Sequence, residues 1–230
     1  GRITRYAAAA LLAKVYLTTG DEGAAQSELE SIINSGKYSL DANNDGTINV
    51  DDYLYVFDPD TKNSKASIFE AQYLAGPNAF NSDHQFAYSP YHHAFHLPGI
   101  SGVFRGGGVN TPTDELAAEF EAGDPRKEVS IYPGYLNDNT GEFIEYPFTM
   151  KFFDPQWTNA GQNFEIIRYA DILLMNAEVT GNADYLNMVR ERVGLPLFGT
   201  PEYPSALYPT LELAIEHERR MELCFEMHRF

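Results

Sequence analysis

Length, composition and charge limit the classes of protein to which this chain can belong. With 230 residues, 43% of them hydrophobic, it is long enough to bury a sizeable core in one large domain or two small ones. Its formal net charge of −17 argues against nucleic acid or an anionic membrane surface as a partner, because both repel carboxylates. Cations and neutral ligands remain as candidates. The single cysteine, Cys224, cannot form an internal disulfide and is interpreted as a buried helix residue rather than a nucleophile.

The two ends of the sequence predict a piece of a longer polypeptide. The chain begins at Gly1 rather than at an initiator methionine, and it ends within the helical pattern ERRMELCFEMHRF, which has no stop signal. It contains neither a signal peptide nor an apolar run long enough to span a bilayer. We therefore expect any targeting segment to lie upstream of residue 1.

Residues 1–40 predict a helical hairpin. Gly20 and Asp21 turn the chain between the two helices, and Gly36 ends the second helix. Small and large side chains alternate as in a tetratricopeptide unit, at Leu12, Ala13, Tyr16, Gly20, Ala25 and Leu29. Because a solenoid of only two helix pairs would be marginally stable, we expect further repeats outside this chain.

Residues 41–162 lack helical periodicity and are rich in Pro, Gly, Asn and aromatic residues. Residues 67–73 partly alternate polar and apolar side chains, which predicts a short strand. Residues 111–121 begin with Thr-Pro and two acids in the first turn, which predicts a short helix. The remainder is interpreted as loop. Because a loop region of this length is uncommon in a compact domain, it indicates a functional excursion.

Residues 163–230 predict a second helical hairpin followed by a terminal helix. The stretch 166–179 is apolar on almost every side, which predicts a buried helix, so Arg168, Asp171 and Glu178 require charged partners. A second helix over 185–193 is followed by a terminal helix that begins after Pro209. Glu218 lies on the apolar stripe of the terminal helix and is expected to pair with an arginine, for which the candidates are Arg190, Arg219 and Arg220.

Six separated motifs occur in an order that resembles one known family. They are GRITRYAAAALLAKVYLTTGD, SGKYSL, PTDELAAEFEAGDPRKE, RYADILLMNAE, LNMVRERVGLP and IEHERRMELCFEMHRF. Together they resemble the starch-utilisation D (SusD) type, also called the RagB type, of outer-membrane glycan-binding lipoprotein. The resemblance covers almost the whole chain. The sequence departs from the family pattern in two places, the short loop TGNAD and the segment that follows SGKYSL.

The resemblance implies a mainly α fold of tetratricopeptide-like helix pairs, with a long irregular, loop-rich insertion that carries short strands. We accordingly predict a single domain over 1–230, with the insertion at 41–162. The family function would be non-catalytic binding of oligosaccharide or polysaccharide at the bacterial cell surface. The implied partner is a SusC-like TonB-dependent transporter. The implied location is the outer face of the outer membrane, reached through a lipid anchor outside this chain.

Residues 41–52, DANNDGTINVDD, match a twelve-residue calcium loop of the dockerin type. Alternate residues of a tight loop can direct oxygen atoms towards one hard cation, and Gly46 stands where such loops turn sharply. The predicted ligands are Asp41, Asn43, Asp45, Thr47 through its carbonyl, Asn49 and Asp52. The alternative is an acidic surface turn, because Asp, Asn and Gly are common turn residues. We predict a structural calcium ion that braces the insertion.

Aromatic and polar residues near the middle of the chain are candidates for sugar binding. Flat rings stack on the apolar faces of sugars, while Asn, Arg and His side chains bond to their hydroxyls. The candidate residues are Tyr88, Tyr91, His92, Phe104, Arg105, Asn110 and Trp157. The alternative for the rings is a core beneath long loops.

Other functional interpretations are weaker. His92, His93 and His96 are not expected to bind metal, because no cysteine or closely spaced carboxylate completes a ligand set. Asp171 and Glu178 lie two helical turns apart, or about 10.5 Å along the axis, and are interpreted as structural ion-pair members rather than a glycosidase pair. The alternative functions are a glycoside hydrolase and a peptide-binding tetratricopeptide scaffold.

Overall fold

The computed structural model describes residues 3–91, 94–98, 100–156 and 159–228. These residues form two compact units. The helical unit contains the chain up to Val56, Asn63–Glu70, and the chain from Glu165 onward. The inserted unit contains Phe57–Lys62 and Ala71–Phe164. The loop at 41–52 therefore belongs to the helical unit, whereas the sequence had placed it within the insertion.

The elements are named here in chain order. The first part contains α1 (Arg5–Thr19), α2 (Glu22–Ile33), α3 (Val50–Val56), β1 (Ser67–Ala71), α4 (His84–Tyr88), β2 (Phe95–Leu97) and β3 (Ile100–Phe104). The second part contains α5 (Asp114–Glu119), α6 (Arg126–Ser130), β4 (Tyr132–Asn137), β5 (Phe143–Phe148), β6 (Phe164–Arg168), α7 (Tyr169–Thr180), α8 (Ala183–Arg192) and α9 (Leu211–Glu222). No helix in the described ranges has the length and apolar character that crossing a membrane requires.

Helices α1 and α2 form the predicted hairpin. The Thr4 hydroxyl caps α1 by accepting a hydrogen bond from Ala7 N, and Gly20 ends the helix with φ +79°. Three alanines of α1, at positions 7, 10 and 13, are completely buried. Since alanine has a short side chain, it allows α2 to approach closely, and the core of the helical unit can form between the two helices and α7.

Helix α7 lies at the centre of the helical unit and packs against α2, α8 and α9. Its residues from Tyr169 to Ala177 are all buried, which confirms the prediction of a buried helix. The predicted start of this helix, at residue 166, was wrong. Ile166 and Ile167 belong to β6, which pairs with β1 in a two-stranded sheet, and α7 begins only at Tyr169.

The charges of the helical core are paired as their burial requires. Arg168 donates to Glu222 at 2.7 Å and to Glu226 at 2.7 Å, and Arg192 donates to the other Glu222 oxygen at 2.7 Å. Arg190 donates to Glu218 at 2.9 Å, which confirms the pairing that was expected for that glutamate. All of these side chains are at most 1% exposed. Arg168 is on β6, Arg192 is on α8, and Glu222, which pairs with both, is on α9. Because breaking a buried ion pair is very costly, these pairs hold α8 and α9 against β6.

The inserted unit is built on an antiparallel sheet that the sequence analysis had assigned to loop. Its strand order is β3-β2-β4-β5. Phe95 lies opposite Phe104 on one side and opposite Asn137 on the other, and Tyr135 lies opposite Ile144. The buried side chains beneath the sheet are Phe95, Leu97, Phe104, Tyr135, Phe148 and Phe153.

The other predicted elements are present with shifted ends. The short strand is β1, which ends at Ala71 rather than at residue 73. The short helix is α5, whose N-cap is Thr113 rather than Thr111. Helix α9 begins after Pro209 as expected, with Thr210 as its N-cap, but it ends at Glu222 and is followed by turns.

Candidate functional site

Two of the predicted stacking rings lie in the interior of the inserted unit. Phe104 is 2% exposed and contacts the rings of Phe95 and Phe153, and Tyr88 is 8% exposed beside Phe152. Burial raises the pKa of the Tyr88 hydroxyl, and the charge of Asp83 raises it further. Neither ring has a free face for a sugar, so the structure corrects their assignment as stacking residues. Both rings belong to the interior, whereas residues close to them in the chain, such as Tyr91 and Arg105, are exposed.

A run of three glycines holds the aromatic segment in place. Gly107 N donates to Phe86 O at 2.7 Å, Gly108 N donates to Ser89 O at 2.9 Å, and Val109 N donates to Ala87 O at 3.0 Å. A Cβ atom at position 106 would lie 2.2 Å from Pro90 O, and one at position 108 would lie 2.7 Å from Tyr91 Cβ. Only glycine permits this close contact between the two segments.

Tyr91 projects from this contact into solvent, and its side chain is 72% exposed. Arg105, Val109 and Asn110 on the adjoining segment are exposed as well, with Asn110 in the left-handed region at φ +55°. Tyr146 brings its hydroxyl to within 3.2 Å of the position that a Cβ on residue 108 would occupy. We refer to these side chains, Tyr91, Arg105, Val109, Asn110 and Tyr146, as the Tyr91 surface. It combines an exposed aromatic face with hydrogen-bonding groups.

Three predicted or discussed residues lie outside the described part of the chain. They are His92, His93 and Trp157. The remaining histidine of the group, His96, lies between Gly102 O, 2.8 Å from Nδ1, and Asp138 Oδ1, 2.5 Å from Nε2. Within the described ranges, no cluster of three or more His, Cys, Asp and Glu side chains is arranged to hold a metal ion.

Two exposed apolar residues were missed by the sequence analysis. Phe80 is 87% exposed and Leu74 is 62% exposed, and both lie on a loop of the inserted unit. A sequence signal for this loop exists in Gly76-Pro77-Asn78, a strong turn pattern whose flanking residues are often displayed at the surface. Phe86, on α4, is also partly exposed at 45%.

The predicted calcium loop is closed by hydrogen bonds to its own carboxylates. Asp41 accepts from Asp45 N at 3.1 Å and from Gly46 N at 2.9 Å. Asp52 is 1% exposed and accepts from Ala42 N at 2.7 Å and from Asn49 N at 2.9 Å, so it joins the two ends of the loop. The next residue, Tyr53, is completely buried beside the guanidinium groups of Arg168 and Arg192. The loop is anchored in the helical core, and its calcium ion stays a prediction.

Asp171 and Glu178 have different environments. Asp171 is completely buried and bonded to Lys14 at 2.7 Å and Arg219 at 2.9 Å, whereas Glu178 is exposed. Burial alone would raise the pKa of the Asp171 carboxyl, but Arg219, Lys14 and His228 together lower it below its usual range. Asp171 is therefore a structural ion-pair member as expected, and the exposure of Glu178 corrects the expectation of a buried partner for it.

A comparison with protein families gives a match over most of the chain. The model of the SusD family, SusD_RagB, matches residues 29–230. Among curated proteins, the SusD-like protein P25 of Formosa agariphila is 30% identical over 142 residues, which are 55% of this chain and 25% of that protein.

Solved structures share the fold. A laminarin-binding SusD-like protein is 27% identical with a TM-score of 0.73, and the match covers 100% of this chain and 54% of that one. Surface glycan-binding protein A from Bacteroides thetaiotaomicron, solved in complex with laminarihexaose, is 23% identical with a TM-score of 0.75, over 98% of this chain and 53% of that one. The chain thus spans about half the length of these structures.

Proposed function

Because this chain belongs to the SusD family, we propose that it binds an oligosaccharide or polysaccharide without cleaving it. The observation that supports this proposal is the Tyr91 surface, on which an exposed ring stands beside Arg105 and Asn110 on a backbone that a glycine-rich segment holds in place. Because this backbone is already ordered, binding a ligand costs little further backbone entropy. The laminarin-binding relative and the laminarihexaose complex make laminarin the first ligand to test.

The proposal extends to where the protein acts. It would bind glycan at the outer surface of the bacterial outer membrane, anchored by a lipid outside this chain, and pass it to a SusC-like TonB-dependent transporter. The family membership supports this extension. Pull-down of the transporter with the full-length protein, followed by surface labelling of intact cells, tests it; a protein that is inaccessible to the label would contradict the location.

Two observations favour binding over hydrolysis. Asp171 is held in ion pairs with Lys14 and Arg219, which leaves it unsuited to attack a sugar or transfer a proton to it. The exposed residues of the Tyr91 surface include an arginine, an asparagine and a tyrosine, which suit hydrogen bonding and stacking. The glycoside hydrolase alternative is tested by incubating the protein with plant and starch oligosaccharides. Release of reducing ends above the blank would overturn the binding-only proposal.

The decisive experiment compares Tyr91→Ala with Tyr91→Phe. A glycan array identifies the ligand, with laminarin included, and calorimetry then measures affinity for it. We expect Tyr91→Ala to weaken binding about tenfold, which corresponds to about 1.4 kcal/mol and lies at the upper end of the contribution of an aromatic contact. Tyr91→Phe keeps the ring and should retain most of the affinity.

Salt dependence provides a second measurement of the same surface. A neutral sugar has no charge to screen, so the affinity should be nearly independent of ionic strength. Trp157→Ala is expected to weaken glycan binding as Tyr91→Ala does, and the loss should likewise be nearly independent of salt. If Tyr91→Ala and Trp157→Ala both bind like the unmodified chain, these residues do not form the sugar site. If the unmodified chain binds no glycan on the array, the proposed function itself is wrong.

A further inference from the structure

Phe80 is the most exposed large apolar side chain among the residues that the structure describes, at 87%. Leu74, at 62%, lies opposite it, because Leu74 N donates to Phe80 O at 2.8 Å across the loop. The two residues are thus backbone neighbours in the inserted unit, and both side chains are exposed. Single exposed apolar residues are common on proteins, so exposure alone assigns no role to the pair.

The loop that carries the pair is unusually well fixed for a surface loop. The side-chain amide of Asn81 donates to Leu74 O at 3.0 Å and to Gly76 O at 3.0 Å, closing the loop on itself. Gly76 N donates to Asn159 O at 3.0 Å, and Ser82 N donates to Ala160 O at 2.9 Å, attaching it to the next segment.

The loop also packs closely against the segment 159–161. A Cβ atom on Gly161 would lie 2.5 Å from Ala75 N, so the backbones of the loop and of the 159–161 segment are in direct contact. Asp154 supports that segment from beneath, since its carboxylate accepts from Gly161 N at 2.8 Å and it is itself 1% exposed. The ring of Phe80 is therefore presented to solvent by a braced backbone rather than by a flexible tip.

From this arrangement we propose that Phe80 is a second sugar-stacking residue, with Leu74 as the apolar edge of the same contact. The proposal rests on the proposed function, since it assigns a further contact for the glycan. A flat ring on a backbone held in advance is suited to the apolar face of a sugar, because binding then needs no further ordering of the loop backbone. Asn78, on the same loop, is exposed and carries an amide group that can bond to sugar hydroxyls.

The test separates stacking from general apolar packing by changing only position 80. Phe80→Trp keeps a flat ring, Phe80→Leu keeps apolar area without a ring, and Phe80→Ala removes both. Phe143→Ala is the matched control, because Phe143 is an exposed phenylalanine of the same unit, at 45%, on β5. Calorimetry is carried out with laminarihexaose, or with the strongest glycan of the array if that is another sugar.

We expect Phe80→Ala and Phe80→Leu to bind about tenfold more weakly, with Phe80→Trp and Phe143→Ala close to the unmodified chain. Circular dichroism checks that all four variants remain folded, which the exposure of both residues favours. Unchanged affinity of Phe80→Ala in a chain that binds glycan overturns the inference and leaves the proposed function intact. Full affinity of Phe80→Leu also overturns it, because the contact would then need no ring. Absence of glycan binding by the unmodified chain overturns both.

Discussion

The buried carboxyl pair of Glu70 and Glu165 predicts a measurable dependence of stability on pH. The two residues lie on the paired strands β1 and β6, at 7% and 2% exposure. Ser67 Oγ donates to Glu165 at 3.1 Å, and Asn63 N donates to Glu70 at 2.9 Å. Burial raises the pKa of Glu165 well above its usual value, and the charge of Glu70 raises it further, against the opposing effect of Arg168.

The sign of the effect follows from this direction. The folded state holds the Glu165 proton more tightly than the unfolded chain, so the stabilisation is complete below the unfolded value of 4.5. It is lost progressively as the pH rises through the raised folded pKa. One proton gives a slope of at most about 1.4 kcal/mol per pH unit in the free energy of unfolding. For a chain of this size, each kcal/mol corresponds to a change of about 2–4 °C in Tm.

Glu165→Gln should abolish that slope. Glutamine has almost the same shape as glutamate, and its oxygen can still accept from Ser67, so this hydrogen bond survives without a titratable group. The assay is urea unfolding at intervals between about pH 5 and about pH 8. Glu178→Gln, an exposed acid on α7, is the control and should keep the slope of the unmodified chain. An identical pH slope in Glu165→Gln and the unmodified chain would refute the reasoning.

Two further predictions concern the helical unit. Calcium at about a hundred times its dissociation constant should stabilise the chain by about 2.7 kcal/mol, and Asp45→Ala should remove this effect. Thermal unfolding in EDTA and in millimolar calcium measures this effect. If the Tm of neither protein changes with calcium, residues 41–52 are an ordinary acidic turn. Arg190→Met should cost about 3–5 kcal/mol in urea unfolding, because it removes the arginine that pairs with the buried Glu218. Adding Glu218→Leu should recover much of that loss, and no recovery would contradict the role of the ion pair.

The helical part of the fold could be predicted from the sequence because its constraints are local or obligatory. Helices α1 and α2 could be predicted from the spacing of apolar residues within each short segment, without knowledge of the rest of the chain. The need to neutralise a buried carboxylate predicted an arginine partner for Glu218 but left three candidates, of which the structure selects Arg190. Strand β6 was mistaken for the start of a helix, because a short apolar run such as Ile166-Ile167 suits either structure.

The sheet of the inserted unit could not be predicted in the same way. Its strands have only three to six residues, and β2 pairs Phe95 with Asn137, far away in the sequence. Such pairing is set by tertiary contacts rather than by local preference. The same limit applied to the candidate site, where Tyr91 and Phe104 are both aromatic residues in loop-like sequence. Only the fold shows that one is exposed and the other buried.

The pairing of β1 with β6 has a consequence for how the two units are connected along the chain. Apart from the short stretch Phe57–Lys62, the polypeptide leaves the helical unit through β1 and returns through β6, and these strands are hydrogen-bonded neighbours. The two ends of the long intervening segment are thus already together, and the entropy of closing a loop between them grows only slowly with its length. The helical unit can accept a segment of very different size or sequence at this point, provided that it joins two adjacent strand ends. The same helical scaffold can in this way be fitted with different ligand-binding segments.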